Sequence, residues 1–335
     1  MRALPRGALA AGDLELVELA LPPLADGQVR LRVLRLPMDP AIRMTLASRG
    51  DYGAGVAVGA AVRGLVLGRV EASRSSALAV GDIVSGFGTW SDRLVADAAA
   101  FSRVALIPDL ALSIHTHVLG TSGLAALHGL QDVAGLRPGD RVLVSAAAGG
   151  VGSLACQFAR LLGASRVVGI AGGAGKCRIA VERYGCDACI DHRAAPDPQA
   201  LEAALRSALP EGIDVGFENV GGAPLQAALA LLRPGARIAL CGMIAEYDAA
   251  APAPGPANLW NLIVQRARIE GFRVAPLLAD RARVDALLAR IEGWLRAGAL
   301  RYDIDERDGI EAVPQAFAAL SSGRHRGRLV VRVAD

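Results

Sequence analysis

A strand–turn–helix–strand unit near the middle of the chain limits the folds that this sequence can adopt. The apolar run 142–145 is typical of a buried parallel strand, and a glycine-rich turn follows it directly. Apolar residues then recur at helical spacing from Leu154 to Leu162, and Gly163 ends the helix. A second buried strand follows at 166–170. The sequence therefore predicts a βαβ unit.

The glycine-rich turn of this unit is suited to hold a diphosphate. Backbone N–H groups at a helix N-terminus attract anions, and glycines let the ligand approach the chain closely. Gly149 and Gly152 occupy the second and third glycine positions of the dinucleotide-binding fingerprint, and Ala147 replaces the first. The strand before the turn and the helix after it favour a nucleotide site over the alternative, an ordinary βα turn without a ligand.

The end of the second strand indicates which nucleotide binds. NAD-binding chains usually place an acidic residue about 20 residues after the fingerprint, where it holds the ribose 2′-hydroxyl. Here the stretch 171–175 contains no acid, and Lys176 and Arg178 follow. Lys176 is the only lysine of the chain. Because cations attract a 2′-phosphate and a carboxylate repels it, the sequence predicts NADP(H).

Composition excludes several other classes of protein. The chain has 335 residues, 53% of them hydrophobic, and a net charge of +3 without a basic stripe, so nucleic-acid binding is not expected. It contains no run of 18 apolar residues, which argues against a membrane span. Five cysteines, an odd number, favour a reduced, cytoplasmic location. Cys186 and Cys189 form a C-x-x-C pair on a predicted buried strand, where core packing is the favoured interpretation.

The order of predicted elements indicates an α/β protein with two domains. Short strands are predicted at 28–36, 62–71, 82–86, 93–96 and 104–107, which favours a β-rich, partly closed barrel. After residue 119, strands at 142–145, 166–170, 188–190, 213–217, 237–241 and 268–274 alternate with helices, among them 179–184, 259–266 and 281–297. This alternation predicts a Rossmann doubly wound parallel sheet. The predicted domains are 1–118 with 300–335, for the substrate, and 119–299, for NADP.

Seven motifs carry a resemblance to a known family. They are Met-Asp-Pro-Ala-Ile-Arg at 38–43, the glycine-rich turn at 146–153, Arg-Val-Val-Gly-Ile at 166–170, Lys-Cys at 176–177, Glu-Asn-Val-Gly-Gly at 218–222, Cys-Gly-Met-Ile at 241–244 and Gly-Arg at 327–328. On these motifs the chain resembles zinc-independent medium-chain dehydrogenases/reductases, in the branch of prostaglandin reductases, leukotriene B4 dehydrogenases and curcumin reductases. The resemblance implies a GroES-like first domain and a homodimer.

The resemblance also implies roles for individual residues. The turn 149–152 would cradle the pyrophosphate, Lys176 would pair with the 2′-phosphate, and Asn219 would lie beside the nicotinamide ribose. The full set of implied cofactor contacts is Ala148, Gly149, Gly150, Val151, Gly152, Gly172, Lys176, Arg178, His192, Asn219, Cys241, Gly242, Phe272, Arg273, Val274 and His325. His192 and His325 stand where the family usually has Tyr and Asn. Tyr247 and Tyr52 match active-site tyrosines and are the candidate catalytic residues.

The implied reaction is zinc-independent reduction of the C=C bond of α,β-unsaturated ketones and aldehydes. Hydride from NADPH would reach the β-carbon, and a hydroxyl of Tyr247, Tyr52 or the ribose would stabilise the enolate oxygen. All five cysteines lie between residues 156 and 241, so the first domain offers no thiolate ligand and no metal is predicted. Quinone reduction by the same hydride geometry, and a non-catalytic nucleotide-binding protein, are the alternatives.

Overall fold

The chain folds into two units, each with its own β-sheet and hydrophobic core. The structure is a computed structural model that describes residues 1–5, 7–46, 55–195, 197–249, 254–323 and 325–335. The first unit comprises Met1–His117 and Ile304–Asp335, and the second comprises Val118–Asp303. No helix among the described residues is long and apolar enough to cross a lipid bilayer.

The strands and helices are as follows in chain order. The strands are β1 (Gln28–Pro37), β2 (Arg63–Ser73), β3 (Ile83–Thr89), β4 (Arg93–Asp97), β5 (Phe101–Arg103), β6 (Arg141–Ser145), β7 (Arg166–Ala171), β8 (Ala188–Asp191), β9 (Ile213–Glu218), β10 (Leu232–Leu240), β11 (Arg268–Gly271), β12 (Ile304–Asp308) and β13 (Arg328–Arg332). The α-helices are α1 (Ile42–Leu46), α2 (Thr121–His128), α3 (Gly152–Leu161), α4 (Ala174–Tyr184), α5 (Pro198–Ala208), α6 (Gly222–Ala230), α7 (Trp260–Val264), α8 (Val274–Ala279), α9 (Arg281–Arg296) and α10 (Val313–Ser322).

The sheet of the first unit is built around β1. Its strand order is β12-β13-β1-β2-β3-β5, with β4 also paired to β1, and β12–β13 is its parallel pair. Alternate residues of β1, Val29, Leu31 and Val33, are fully buried, as the period of two predicts. The described strands do not close into a complete barrel, so the predicted β-rich, partly closed architecture is confirmed.

One predicted strand of the first unit lies elsewhere. The strand expected at 104–107 is instead β5, which pairs with Val84–Gly86 of β3. Phe101 is buried at the start of β5, whereas Leu106 is 51% exposed. The apolar run that suggested a strand therefore lies in the segment after β5, where Ile107 is buried again, and the strand pairing coincides with the buried Phe101.

The second unit contains a six-stranded sheet in the order β11-β10-β9-β6-β7-β8, with every pair parallel. The chain runs outward from β6 to β8, returns to β9 on the other side of β6, and continues to β11. Residues such as Leu143, Val168 and Val215 are buried in the middle strands. This confirms the predicted doubly wound sheet and places its topological switch point between β6 and β9.

Several element boundaries in the second unit differ from the prediction. Helix α4 begins at Ala174, five residues before the expected start, so Lys176 lies in its first turn. Strand β11 ends at Gly271, and the predicted strand residues 272–274 lead into α8. The predicted helix 259–266 is the shorter α7.

All five cysteines are free and lie in the second unit. Cys186 precedes β8, and Cys189 lies on it; β8 is a half-buried edge strand rather than the buried strand expected for this pair. Both sulfurs pack beneath β7, since a Cβ added to Gly169 would lie 3.3 and 3.2 Å from them. Burial raises the pKa of the thiols of Cys156, Cys177 and Cys189. This arrangement supports core packing for the pair.

Candidate functional site

A buried hydrogen-bond network joins the carboxyl ends of β6 and β9, at the switch point of the sheet. The Ser145 hydroxyl donates to Glu218 Oε1 at 2.8 Å and accepts the Asn219 N–H at 2.7 Å. The Asn219 side-chain amide donates to the Ser145 carbonyl at 2.7 Å. Because ligands of such sheets bind outside the carboxyl ends of the strands at this point, the network forms the floor of the candidate site.

Glu218 organises the turn that follows β9. Its Oε1 accepts the N–H groups of Val220 at 2.6 Å and Gly221 at 2.9 Å, besides the Ser145 hydroxyl. The residue is only 3% exposed. Burial raises the pKa of Glu218, and the N–H donors oppose that shift. The carboxyl group therefore has a structural task, which is to fix the turn that presents Asn219.

The glycine-rich turn between β6 and α3 leaves backbone donors open. The N–H of Gly149 is bonded to the Ala146 carbonyl at 2.8 Å. In the described part of the chain, the N–H groups of Gly150, Val151 and Gly152 have no hydrogen-bond acceptor. These three amides stand at the N-terminus of a ten-residue helix. Such a group of donors fits a phosphate.

The shape of this turn requires glycine at Gly152. A Cβ there would collide with the backbone of Ala146, whose φ of 50° is in the left-handed region. Gly149 is also tight, since its Cβ would lie 3.2 Å from the Ala146 carbonyl oxygen. The local backbone thus satisfies the fingerprint even though Ala147 replaces its first glycine.

A cluster of basic side chains lies at the end of β7. A Cβ on Gly172 would be 2.9 Å from both His192 Nε2 and Arg193 Nε, so both side chains cover this glycine. Burial lowers the pKa of Lys176, and the charge of Arg193 lowers it further. Burial and Arg193 also lower the pKa of His192. Because Arg193 disfavours protonation of both Lys176 and His192, the three basic side chains lie close together and form a site for an anion.

One carboxylate enters this region from the neighbouring strand. Asp191 Oδ1 accepts the N–H of Gly173 at 2.7 Å and that of Arg193 at 2.9 Å. The bond from Gly173 holds the pKa of Asp191 below its ordinary value. The stretch 171–175 itself has no acid, but the fold brings Asp191 of β8 beside it. Its bonded oxygen is occupied by backbone donors that shape the turn before α4.

Tyr247, Gly242 and Asn219 lie together beyond β9 and β10. A Cβ on Gly242 would be 3.1 Å from the Tyr247 hydroxyl oxygen and 3.3 Å from the Asn219 carbonyl oxygen. The N–H groups of Cys241 and Gly242 donate to the Glu218 carbonyl at 2.8 and 3.1 Å. The structure therefore brings these four predicted residues and the Glu218 turn to one edge of the sheet.

The remaining predicted residues are placed as follows. Ala148 is buried, and Arg178 is exposed on α4, two residues after Lys176. The Phe272 ring packs edge-to-face against Phe217 and His128, and its N–H donates to the Leu240 carbonyl at 3.2 Å. Arg273 and Val274 follow at the start of α8, Arg273 exposed and Val274 half-buried. His325 belongs to the first unit, just before β13, and Tyr52 lies outside the described residues.

Sequence reasoning gave no role to Ser145, Glu218, Asp191 or Arg193. Glu218 was visible as an acid at the end of an apolar strand, a position where a buried carboxyl needs several donors. Asp191 and Arg193 gave no comparable signal, because their importance depends on β8 lying beside β7. No group of three or more His, Cys, Asp or Glu side chains in the described ranges is arranged to hold a metal ion.

Two family models match the chain. Residues 1–104 match the model described as the N-terminal domain of oxidoreductase, and residues 150–292 match the model described as zinc-binding dehydrogenase.

Curated proteins of similar length also match. The NADPH-dependent curcumin reductase of Escherichia coli is 34% identical over 98% of this chain and 94% of its own length. Prostaglandin reductase 1 of Bos taurus is 35% identical over 96% of this chain and 94% of its own. The NADP(+)-dependent 2-alkenal reductase of Nicotiana tabacum is 34% identical over 93% of this chain and 89% of its own.

Among solved structures, CurA from Vibrio vulnificus in complex with NADPH superimposes with a TM-score of 0.91. It shares 33% sequence identity and covers 100% of this chain and 98% of its own.

Proposed function

The chain belongs to the zinc-independent medium-chain dehydrogenases/reductases, and on that basis we propose that it reduces the C=C bond of α,β-unsaturated ketones and aldehydes with NADPH. The observation that carries this proposal is the combination of the open amide turn at 150–152 with the basic cluster around Gly172. The amide turn fits a pyrophosphate, and the basic cluster fits a 2′-phosphate. Of the relatives named above, the curcumin reductase is described as NADPH-dependent and the 2-alkenal reductase as NADP(+)-dependent.

The residues of the second unit divide the work of holding the cofactor. The three open amides of the turn take the pyrophosphate, and Lys176 with its neighbours His192 and Arg193 takes the 2′-phosphate. The negative charge of Asp191 opposes binding of the 2′-phosphate. Asp191 also accepts the Gly173 N–H, which fixes the start of α4 and therefore the position of Lys176. Ser145 and Glu218 hold Asn219 in place for the nicotinamide ribose. When bound, NADPH supplies the hydride.

Tyr247 is the proposed catalytic residue among those that the structure describes. Its hydroxyl lies against Gly242, at the same strand ends as Asn219. There it donates a hydrogen bond to the carbonyl oxygen of the substrate as negative charge builds on it, an effect worth roughly 3–4 kcal/mol for one well-placed donor. The same hydroxyl, or water, returns a proton to the α-carbon. Tyr52 remains a second candidate for the same role.

The reaction is tested with purified protein, NADPH and a panel of enones, enals and quinones, following the loss of NADPH absorbance. We expect turnover of enones and enals, with the product identified as the saturated ketone or aldehyde by mass spectrometry. Preferred turnover of quinones would favour quinone reduction instead. NADPH binding without turnover of any compound in the panel would contradict the enzymatic function but leave the nucleotide site intact.

We further propose that the first unit supplies the substrate domain, that the protein is a homodimer, and that it works in the cytoplasm. Strand β11 is at the edge of the six-stranded sheet, and the preceding α7 exposes Trp260, Ile263 and Val264 by 57–68%. An open strand edge beside exposed apolar side chains supports pairing with a second copy. Light scattering should report a dimer that Ile263→Lys weakens and Leu106→Lys, an exposed leucine of the first unit, does not.

A further inference from the structure

Three arginines stand side by side across the sheet of the first unit. Arg32 on β1 is directly opposite Arg69 on β2 and directly opposite Arg93 on β4. We call Arg69, Arg32 and Arg93 the arginine row. Arg30, two residues before Arg32, shares the same face of β1 because side chains of a strand alternate. Four guanidinium groups therefore gather on one face of three paired strands.

The acidic residues nearby balance only part of this charge. Both carboxylate oxygens of Glu71 accept from Arg93 Nε, at 3.2 and 3.0 Å, and Arg30 Nε lies 3.8 Å from one of them. Asp92 lies 3.4 Å from another nitrogen of Arg93. Arg32 and Arg69 have no carboxylate partner in the part of the chain that the structure describes. These two arginines are directly opposite each other on β1 and β2.

Such an arrangement does not serve the stability of the sheet. Like charges directly opposite each other on neighbouring strands destabilise the pairing. Arg32 is half-buried, which weakens the screening of its charge by water. An anion bound between Arg32 and Arg69 would relieve this repulsion.

The surroundings of the arginine row specify what kind of anion fits. The four arginines line a cavity of about 610 Å³, together with Glu71, Leu21 and Val80. Leu21 is 40% exposed and Val80 is 66% exposed, so one part of the wall is apolar. Guanidinium groups bind phosphate with paired hydrogen bonds, and the apolar wall suits a hydrocarbon chain.

We propose that this cavity is a second binding site, which takes a single amphipathic phosphate monoester: the phosphate on Arg32 and Arg69, the hydrocarbon chain on Leu21 and Val80. None of its lining residues belongs to the nucleotide site, so the inference stands apart from the proposed function. The same phosphate chemistry occurs in anionic lipid headgroups. The recess lies between β1, β2 and β4 and the segments that carry Leu21 and Val80, and its volume of about 610 Å³ suits one discrete molecule.

The test uses the full-length protein saturated with NADP⁺, so that the glycine-rich turn and the basic cluster around Gly172 are occupied. Binding of hexyl phosphate is measured by calorimetry against two probes, inorganic phosphate and hexanol. We expect hexyl phosphate to bind at least about tenfold more tightly than either probe, because each supplies only one of the two contacts. Arg69→Gln, at an exposed position, and the double variant Arg32→Gln/Arg69→Gln should each weaken binding by about tenfold or more.

Arg103→Gln is the matched control, since Arg103 is an exposed arginine on β5 of the same sheet that pairs with Asp82 outside the cavity. It should leave hexyl phosphate binding unchanged. Without ligand, Arg69→Gln should keep or raise the melting temperature, because it removes a like-charge pair. Unchanged binding by the Arg69 variant, or inorganic phosphate binding as tightly as hexyl phosphate, would overturn the proposal. Binding to vesicles with anionic lipid but not to hexyl phosphate would overturn it in favour of a membrane surface.

Discussion

The residues at the ends of β9 and β7 differ in how their ionisable side chains are compensated by their surroundings. At β9, the carboxyl group of Glu218 is almost completely buried, and its Oε1 accepts three hydrogen bonds. At β7, Lys176, His192 and Arg193 are close enough that Arg193 lowers the pKa of the other two. A satisfied group preserves the shape of a site without a ligand. A cluster of basic side chains is suited to a ligand that brings negative charge.

The difference teaches which residues control folding and which control cofactor choice. Substitutions at the Glu218 network should lower stability whether or not the cofactor is bound. Substitutions in the basic cluster should change affinity for the 2′-phosphate with little effect on the free protein.

The largest effect is expected for Glu218→Ala. The substitution leaves the Ser145 hydroxyl and the N–H groups of Val220 and Gly221 without their buried acceptor, which should lower the free energy of unfolding by about 3–5 kcal/mol. Urea denaturation measures the loss. Glu218→Gln, which keeps a carbonyl oxygen, is the control and should lose about 1 kcal/mol. Equal stability of Glu218→Ala and the wild type would show that the network is not structural.

Tyr247→Phe tests whether the catalytic hydroxyl lies beside the Glu218 network at the end of β9. Loss of one donor to the developing oxyanion should lower kcat by about 100-fold while the Kd for NADPH changes little. Steady-state kinetics with an enone and a separate binding titration give the two quantities. Tyr302→Phe, at a half-buried tyrosine of the same unit, should leave kcat unchanged. An unaltered kcat in Tyr247→Phe would move the role to Tyr52 or to the cofactor ribose.

Lys176→Ala tests whether the basic cluster at the end of β7 binds the 2′-phosphate. Loss of a charge-assisted contact to the 2′-phosphate should weaken NADPH binding roughly 10- to 100-fold and leave NADH binding nearly unchanged. Fluorescence titration with both cofactors measures the preference. Arg178→Ala is the matched control on the same helix, and its exposed side chain predicts a smaller loss. A preference that survives in Lys176→Ala would assign the 2′-phosphate to other groups.

The smallest effect is expected for the pH dependence of cofactor binding. The pKa of His192 is lowered, so this imidazole is mostly neutral near pH 7, and a bound 2′-phosphate favours its protonated form. Binding then takes up a proton, so affinity for NADP⁺ relative to NAD⁺ should rise by less than about tenfold as the pH falls from roughly 7.5 to 6.5. Titrations at both values check the direction. In His192→Gln the ratio should no longer rise as the pH falls, and an equally steep rise there would assign the proton to another group.

The sequence predicted the architecture better than the details of the site. The alternation of buried strands and helices after residue 119 was strong enough to give the parallel sheet, and the glycine-rich turn marked its first crossover. The start of α4 was missed because Ala174 and Gly175 carry no apolar period, although it decides where Lys176 stands. Asp191 and Arg193 could not be found, because their contacts with the β7 turn depend on strand order rather than spacing along the chain.

The thiols of the second unit have a consequence if the substrates are the unsaturated carbonyl compounds proposed above. Such compounds are electrophiles that alkylate the thiolate form of cysteine, not the protonated form. Burial keeps Cys156, Cys177 and Cys189 protonated by raising the pKa of each. We therefore expect these three cysteines to remain unmodified in the folded protein through prolonged exposure to an enone, and to react only once the chain is unfolded.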